Sequence, residues 1–334
     1  MVNGVGLRLP SLRGSRVQIP PPASVSTPRS FPPTFNAGLA VAAGMRSKEG
    51  YASVLGHDLF YRQFGEPTSG EVLGLHGGPG GTHDYLMPLA DLAAHGYRVT
   101  LYDQLGCGRS QLPKDPSLFV PERYVEELEA FRKEMKLGRP HLIGSSWGGM
   151  LAIAYALKYQ RNLKTMTTVG GLHSVPLTVR EMQRMKKTLP DEVQRTMEKY
   201  EAAGDYDAPE YQQAVMVFYR KFLCRLDQWP AEVAYSLDHT SKPVYGTMNG
   251  PNEFTIIGNI RYWDVTERLR DIRVPTLVLG GRYDEVSPLV AREIHSHIRG
   301  SELTIFPNSS HLAFWEERDA FMNRYLRFLT KHSG

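Results

Sequence analysis

Three pieces of this sequence hold residues whose types and spacing suit acyl-transfer chemistry. The first is Gly144-Ser145-Ser146-Trp147-Gly148-Gly149. It has the G-x-S-x-G form, in which a serine sits on a sharp strand-to-helix turn with its Oγ exposed and glycines either side for close backbone approach. Ser146 is the serine such a turn presents, because Ser145 lacks glycines at the right spacing. Alone the pattern is weak, and Ser146 in isolation reads equally as a helix N-cap. The second piece is His76-Gly77-Gly78-Pro79-Gly80-Gly81. Its backbone N–H groups are free to converge on one spot and hold an oxyanion, although a glycine-rich turn is the plain alternative. With the elbow present, the N–H groups of Gly78 and Trp147 are the expected donors. The third piece is an acid and a histidine later in the chain, in the order Ser, Asp, His. Asp284 lies in Gly281-Arg282-Tyr283-Asp284-Glu285 and His311 in Pro307-Asn308-Ser309-Ser310-His311. Their plain alternatives are a turn residue and a surface histidine, the default for most of the eleven. In the chemical reading Ser146 attacks a carbonyl, His311 takes its proton and returns it to the leaving amine, and Asp284 orients the imidazole.

Strand-like and helix-like stretches alternate around these pieces. Val72–Leu75, Arg98–Tyr102, Pro140–Ile143, Thr165–Val169, Thr276–Leu279 and Glu302–Phe306 read as strands. A helix is expected after Pro121, with Val125, Leu128, Phe131 and Met135 at helical spacing, and others over Leu151–Tyr159, Pro288–Ile298 and Trp315–Leu329. This β–α alternation predicts an α/β fold with a mostly parallel sheet flanked by helices. Such sheets build their sites at C-terminal strand ends, where all three pieces fall. The rhythm breaks over residues 174–250, rich in Glu, Lys, Met, Gln and Tyr, which predicts an inserted helical cap. The core is then residues 45–173 and 251–334.

The sequence resembles the proline iminopeptidases of the serine α/β-hydrolase superfamily, including the tricorn-associated aminopeptidase of archaea. The matching pieces are His76–Gly81, the run Tyr102-Asp103-Gln104-Leu105-Gly106-Cys107-Gly108-Arg109-Ser110, Gly144–Gly149, Met248-Asn249-Gly250-Pro251-Asn252-Glu253-Phe254, Tyr283–Glu285 and Ser310-His311. They span nearly everything from Tyr51 to the C-terminus, and the Asn-Gly-Pro-Asn-Glu-Phe piece is the most specific. The resemblance implies an α/β-hydrolase fold and removal of an N-terminal residue, preferentially proline, from short peptides with a free N-terminus. It also implies that Glu253 and Glu285 anchor the substrate's ammonium group. A buried cation needs carboxylate partners, which favours the same reading, while a turn residue and a helix-start carboxylate are the alternatives. Tyr245 is a further candidate for the pocket wall, and Asp103 is expected to hold the loop around Gly106. An amino-acid amidase or esterase would use the same residues, and a ligand-binding protein could retain them.

Composition narrows the partners. The chain has 334 residues, 41% apolar and 22% charged, ordinary for a globular protein. Its net charge of +4 includes six basic and no acidic residues before Glu49, so the remainder is near neutral and gives no reason to expect nucleic acid. No apolar run is long enough to span a membrane. No helical histidine pair with a nearby acid and no phosphate-loop pattern occurs, so neither a metal nor another cofactor is expected. Cys107 and Cys224 are the only cysteines and read as thiols in a reducing, cytoplasmic setting. Residues 1–44 carry seven prolines and no sustained periodicity. A disordered tail, a transit peptide and a true start at Met45 are the three readings, and the last fits best. Oligomeric state is not legible.

Overall fold

The computed structural model describes residues 47–333, so the expectations for residues 1–44 lie outside the described residues. Eight strands form one sheet: β1 (Ser47–Val54), β2 (His57–Phe64), β3 (Gly70–Leu75), β4 (Tyr97–Tyr102), β5 (His141–Ser145), β6 (Thr165–Val169), β7 (Thr276–Gly281) and β8 (Glu302–Phe306). Their order is β1-β2-β4-β3-β5-β6-β7-β8. The first two pairings are antiparallel, β1 with β2 and β2 with β4, and the rest are parallel. Every residue of β5, β6 and β7 is buried. Helices cover both faces of a parallel sheet, so such strands read as apolar runs rather than alternating ones. The β1–β2 hairpin, which carries no chemistry, was not among the expected strands.

Chain order reverses beside β3, which has β4 on one side and β5 on the other. Loops that leave β3 and β5 therefore diverge and open a crevice at the C-terminal ends. Leu75 pairs in register with Gly144, so the glycine run after β3 and the elbow after β5 start at the same height.

Ten α-helices accompany the sheet among the described residues: α1 (Pro121–Glu134), α2 (Trp147–Tyr159), α3 (Val175–Lys186), α4 (Asp191–Ala203), α5 (Pro209–Phe222), α6 (Ala231–Asp238), α7 (Lys242–Met248), α8 (Pro288–His297), α9 (Ala313–Glu316) and α10 (Arg318–Lys331). Five of them, α3 to α7, follow one another between β6 and β7 without a strand. None of the described helices is long and apolar enough to cross a membrane.

The expected single closing helix over Trp315–Leu329 is two helices with a break at Glu317. The cause is local. Glu316 accepts from the Ser310 N–H (2.7 Å) and Glu317 from the Asn308 N–H (2.9 Å) and Ser309 hydroxyl (2.6 Å). Both carboxylates are thus drawn onto the loop that ends at His311, a demand that periodicity alone does not reveal.

Candidate active site

The elbow forms as the glycine spacing requires. Ser146 has φ 57° and ψ −123°, a region rarely occupied by a side-chain-bearing residue and costing on the order of 1–3 kcal/mol. A Cβ on Gly144 would run into the Gly148 carbonyl, and one on Gly148 into the Leu75 carbonyl on β3. Both glycines are therefore set by close backbone approach. Ser146 occupies the N-cap position of α2, yet its side chain makes no cap hydrogen bond. Ser146 lines a cavity instead.

Asp284 and His311 come together from the loops after β7 and β8. Asp284 Oδ1 lies 2.6 Å from His311 Nδ1 and also accepts from the Val286 N–H at 2.8 Å. Both residues are buried. His311 Nε2 is thereby turned away from Asp284, and His311 lines the same cavity as Ser146. No hydrogen bond joins Ser146 Oγ to His311 among the described residues; such contacts are often long before substrate binds.

Gly78 and Trp147 line a cavity with Ser146. The Gly77 N–H is already committed to Tyr85 Oη at 2.7 Å. Those of Gly78 and Trp147 have no partner among the described residues. Gly78 has φ 116°, and a Cβ there would lie 2.6 Å from the Gly80 nitrogen, so only glycine fits.

Glu253 and Glu285 line the cavity with Ser146 and His311, and Tyr245 lies on its wall. Glu285 Oε1 is 3.8 Å from His311 Nε2, while its Oε2 is buried without a partner. Burial pushes the Glu285 carboxyl up to about 8; His311 opposes this, and the Glu253 and Asp284 charges add to it. Burial likewise raises Glu253, against the Tyr245 hydroxyl and His311, which lower it. For His311, burial favours the neutral ring. Asp284 outweighs that by charge and hydrogen bond, and Glu285 and Glu253 add to it, lifting the imidazole to about 9. Glu253, Glu285 and His311 thus influence one another's charge at one spot, a cluster that a bound cation would re-order.

Together with its open mouth the cavity spans about 640 Å³. Besides the polar residues it is walled by Leu223, Val233, Leu237 and Leu312, mostly from the segment around α5 and α6. A second cavity of about 390 Å³ shares Gly78, Ser146, Glu253 and Glu285 with it and is otherwise mainly apolar, with Met150, Leu172 and Met182.

Several supports were not legible in the sequence. Tyr85 holds Gly77. The Phe222 carbonyl, at the end of α5, accepts from both the Glu285 N–H (3.1 Å) and the His311 N–H (3.2 Å). A Cβ on Gly170 would lie 2.6 Å from the His311 ring and 2.8 Å from Asp284 Oδ2. Asp103, expected from the sequence to hold the loop around Gly106, is buried and accepts from the His83 N–H and ring and from the Arg109 N–H of that loop. His83, Asp84 and Asp103 are the one group of potential metal ligands among the described residues. The Arg109 guanidinium, 3.3 Å from Asp84, already occupies the cationic role there.

The sheet order and the crevice at its reversal define an α/β-hydrolase, and residues 72–318 match the family described as alpha/beta hydrolase fold. A proline iminopeptidase of Saccharolobus solfataricus is 48% identical over 84% of this chain and 92% of its own length. The crystal structure of a proline iminopeptidase from Mycobacterium smegmatis superposes with a TM-score of 0.80 at 32% identity, covering 86% of this chain and 99% of that one. The crystal structure of VinJ gives 0.82 at 35%, covering 85% and 99%. The chain belongs to the proline iminopeptidase family.

Proposed function

We propose that this chain is a serine aminopeptidase that releases an N-terminal residue, preferentially proline, from short peptides through an acyl-enzyme. The observation that carries the reading is one cavity lined by Ser146, His311, Glu253 and Glu285. Family membership supports the choice of proline. The substrate's ammonium group pairs with Glu253 and Glu285, beside the Tyr245 hydroxyl. This places the first carbonyl carbon, two bonds from that nitrogen, at Ser146. Ser146 Oγ bonds to the carbonyl carbon as His311 Nε2 takes its proton, and the oxyanion is held by the Gly78 and Trp147 N–H groups. The C–N bond then breaks as His311 returns the proton to the leaving nitrogen. Water, activated by the same imidazole, releases the first residue and restores Ser146. Asp284 keeps the ring oriented throughout. Helices α3 to α7 act as the cap, closing the acyl side so that only a terminal residue fits. The buried free thiols of Cys107 and Cys224 favour a reducing, cytoplasmic setting.

Fluorophosphonate labelling tests the reading. A single adduct on Ser146, competed by prolyl substrates, is the expected outcome. A protein that stays unlabelled at Ser146 would contradict it and point to a ligand-binding role.

The pH dependence has a definite sign. His311 must be neutral to accept a proton, so the inactivation rate with fluorophosphonate should rise with pH along a limb set by His311, which sits near 9. Glu285→Gln removes one of the charges that raise His311, so the limb should move to lower pH. The reagent carries no ammonium, so loss of an anchor does not confound the rate. An unmoved or upward-shifted limb would contradict the assignment.

A further inference from the structure

The two donors assigned to the oxyanion come from different loops, one after β3 and one after β5. Their relative placement therefore needs a link, and Gln104, in the loop after β4, supplies it. Gln104 is fully buried. Its Nε2 donates to the His76 carbonyl at 2.9 Å, and its Oε1 accepts from Trp147 Nε1 at 2.8 Å. The indole can only donate, which fixes the amide's orientation. One side chain thus ties the start of the glycine run to the residue whose own N–H is the second donor.

The Gln104 backbone reaches the first donor by another route. Its N–H donates to His76 Nε2 at 3.0 Å. His76 Nε2 is therefore the acceptor nitrogen, and the proton sits on Nδ1. Nδ1 then donates to the Gly77 carbonyl at 2.9 Å, which also accepts from the Gly81 N–H at 3.1 Å. The Gly77 carbonyl and the Gly78 N–H belong to one planar trans peptide and point in opposite directions. Two donors clamped on the carbonyl side leave the Gly78 N–H facing away from them, free to meet the oxyanion. Burial keeps His76 neutral, as this arrangement requires.

We propose that the Gln104 side chain is a positioning group that fixes the two oxyanion donors relative to each other, through the His76 carbonyl and the Trp147 indole, while its backbone N–H sets the tautomer of His76. The inference rests on the reading of Gly78 and Trp147 given above. Nothing in the chemistry requires Gln104 to touch substrate; it acts by fixing where the donors point.

Gln104→Met keeps the volume and the backbone N–H but removes both amide bonds. With a prolyl substrate, kcat should fall about 10–100-fold, less than or up to the loss of a whole donor, with KM within about twofold. Inhibition by a prolyl boronic acid, whose tetrahedral adduct resembles the oxyanion, should weaken by a similar factor, while inhibition by free proline stays unchanged. A merely structural role would not produce that split. Trp147→Phe cuts the same link from the other end and spares the backbone donor, so it should show the same signature more weakly. The double variant should be no slower than Gln104→Met by more than about twofold, because both changes break one connection. Unchanged kcat in Gln104→Met, a loss confined to KM, or full additivity in the double variant would overturn the inference. Should Gln104→Met fail to fold, Trp147→Phe decides alone, with unchanged kcat as the contradicting result. Wild-type cleavage that survives Ser146→Ala would overturn the underlying reading as well. Cleavage abolished by Ser146→Ala, with Gln104→Met unaffected, would overturn the inference alone.

Discussion

Ser146→Ala is expected to lower kcat for prolyl substrates by about 10⁴–10⁶-fold, since removing a nucleophile leaves only what binding and the oxyanion donors contribute. The fold should be unaffected. Ser146 makes no cap hydrogen bond, and Ala in its place would carry the same positive φ, so neither stabilisation nor loss follows. Steady-state kinetics and a melting curve check both halves. The variant should also remain unlabelled by fluorophosphonate. Residual activity above about one per cent of wild type would point to Ser145, whose hydroxyl is buried without a partner one residue away, or to a different mechanism.

The next-largest effect is expected at the two glutamates. Leaving a buried charge without its partner costs about 3–5 kcal/mol, which corresponds to about 10²–10³-fold or more. Glu253→Gln and Glu285→Gln should each lower kcat/KM by about that factor on substrates with a free N-terminus. Neither should lower hydrolysis of an acyl ester that lacks an amine, since the ammonium contact is what each removes. The comparison separates an ammonium-reading site from a general esterase, in which both variants would lose little on either substrate. Loss on both substrates alike would instead mean that the glutamates serve the triad, for which the 3.8 Å approach of Glu285 to His311 offers a route.

Much of this arrangement was readable from residue order because it depends on local geometry. The G-x-S-x-G spacing implies backbone contacts at Gly144 and Gly148, and the structure has them. Asp284 follows the fully buried, apolar strand β7 and His311 the half-buried edge strand β8, and parallel pairing brings the ends of these two strands side by side. What the sequence could not disclose is which distant groups hold these residues in place. Gly170 and the Phe222 carbonyl act across large sequence separations, Tyr85 acts on the nearby Gly77 from a different element, and none of them carries a periodic signature. The break at Glu317 is similar, because helical spacing favours continuity while two carboxylates are drawn onto the His311 loop. The hairpin β1–β2 went unread because only part of β1 is buried and its alternation is imperfect.

Hydrolysis of prolyl-β-naphthylamide by the purified protein, beside its N-acetylated form and an alanyl analogue, tests the central claim most directly. The account predicts rapid cleavage of the free prolyl compound, slower cleavage of the alanyl one, and no measurable cleavage of the acetylated one, because acetylation removes the cation that Glu253 and Glu285 would bind. Equal cleavage with and without the acetyl group would contradict it, and would make this site that of a general amidase or esterase.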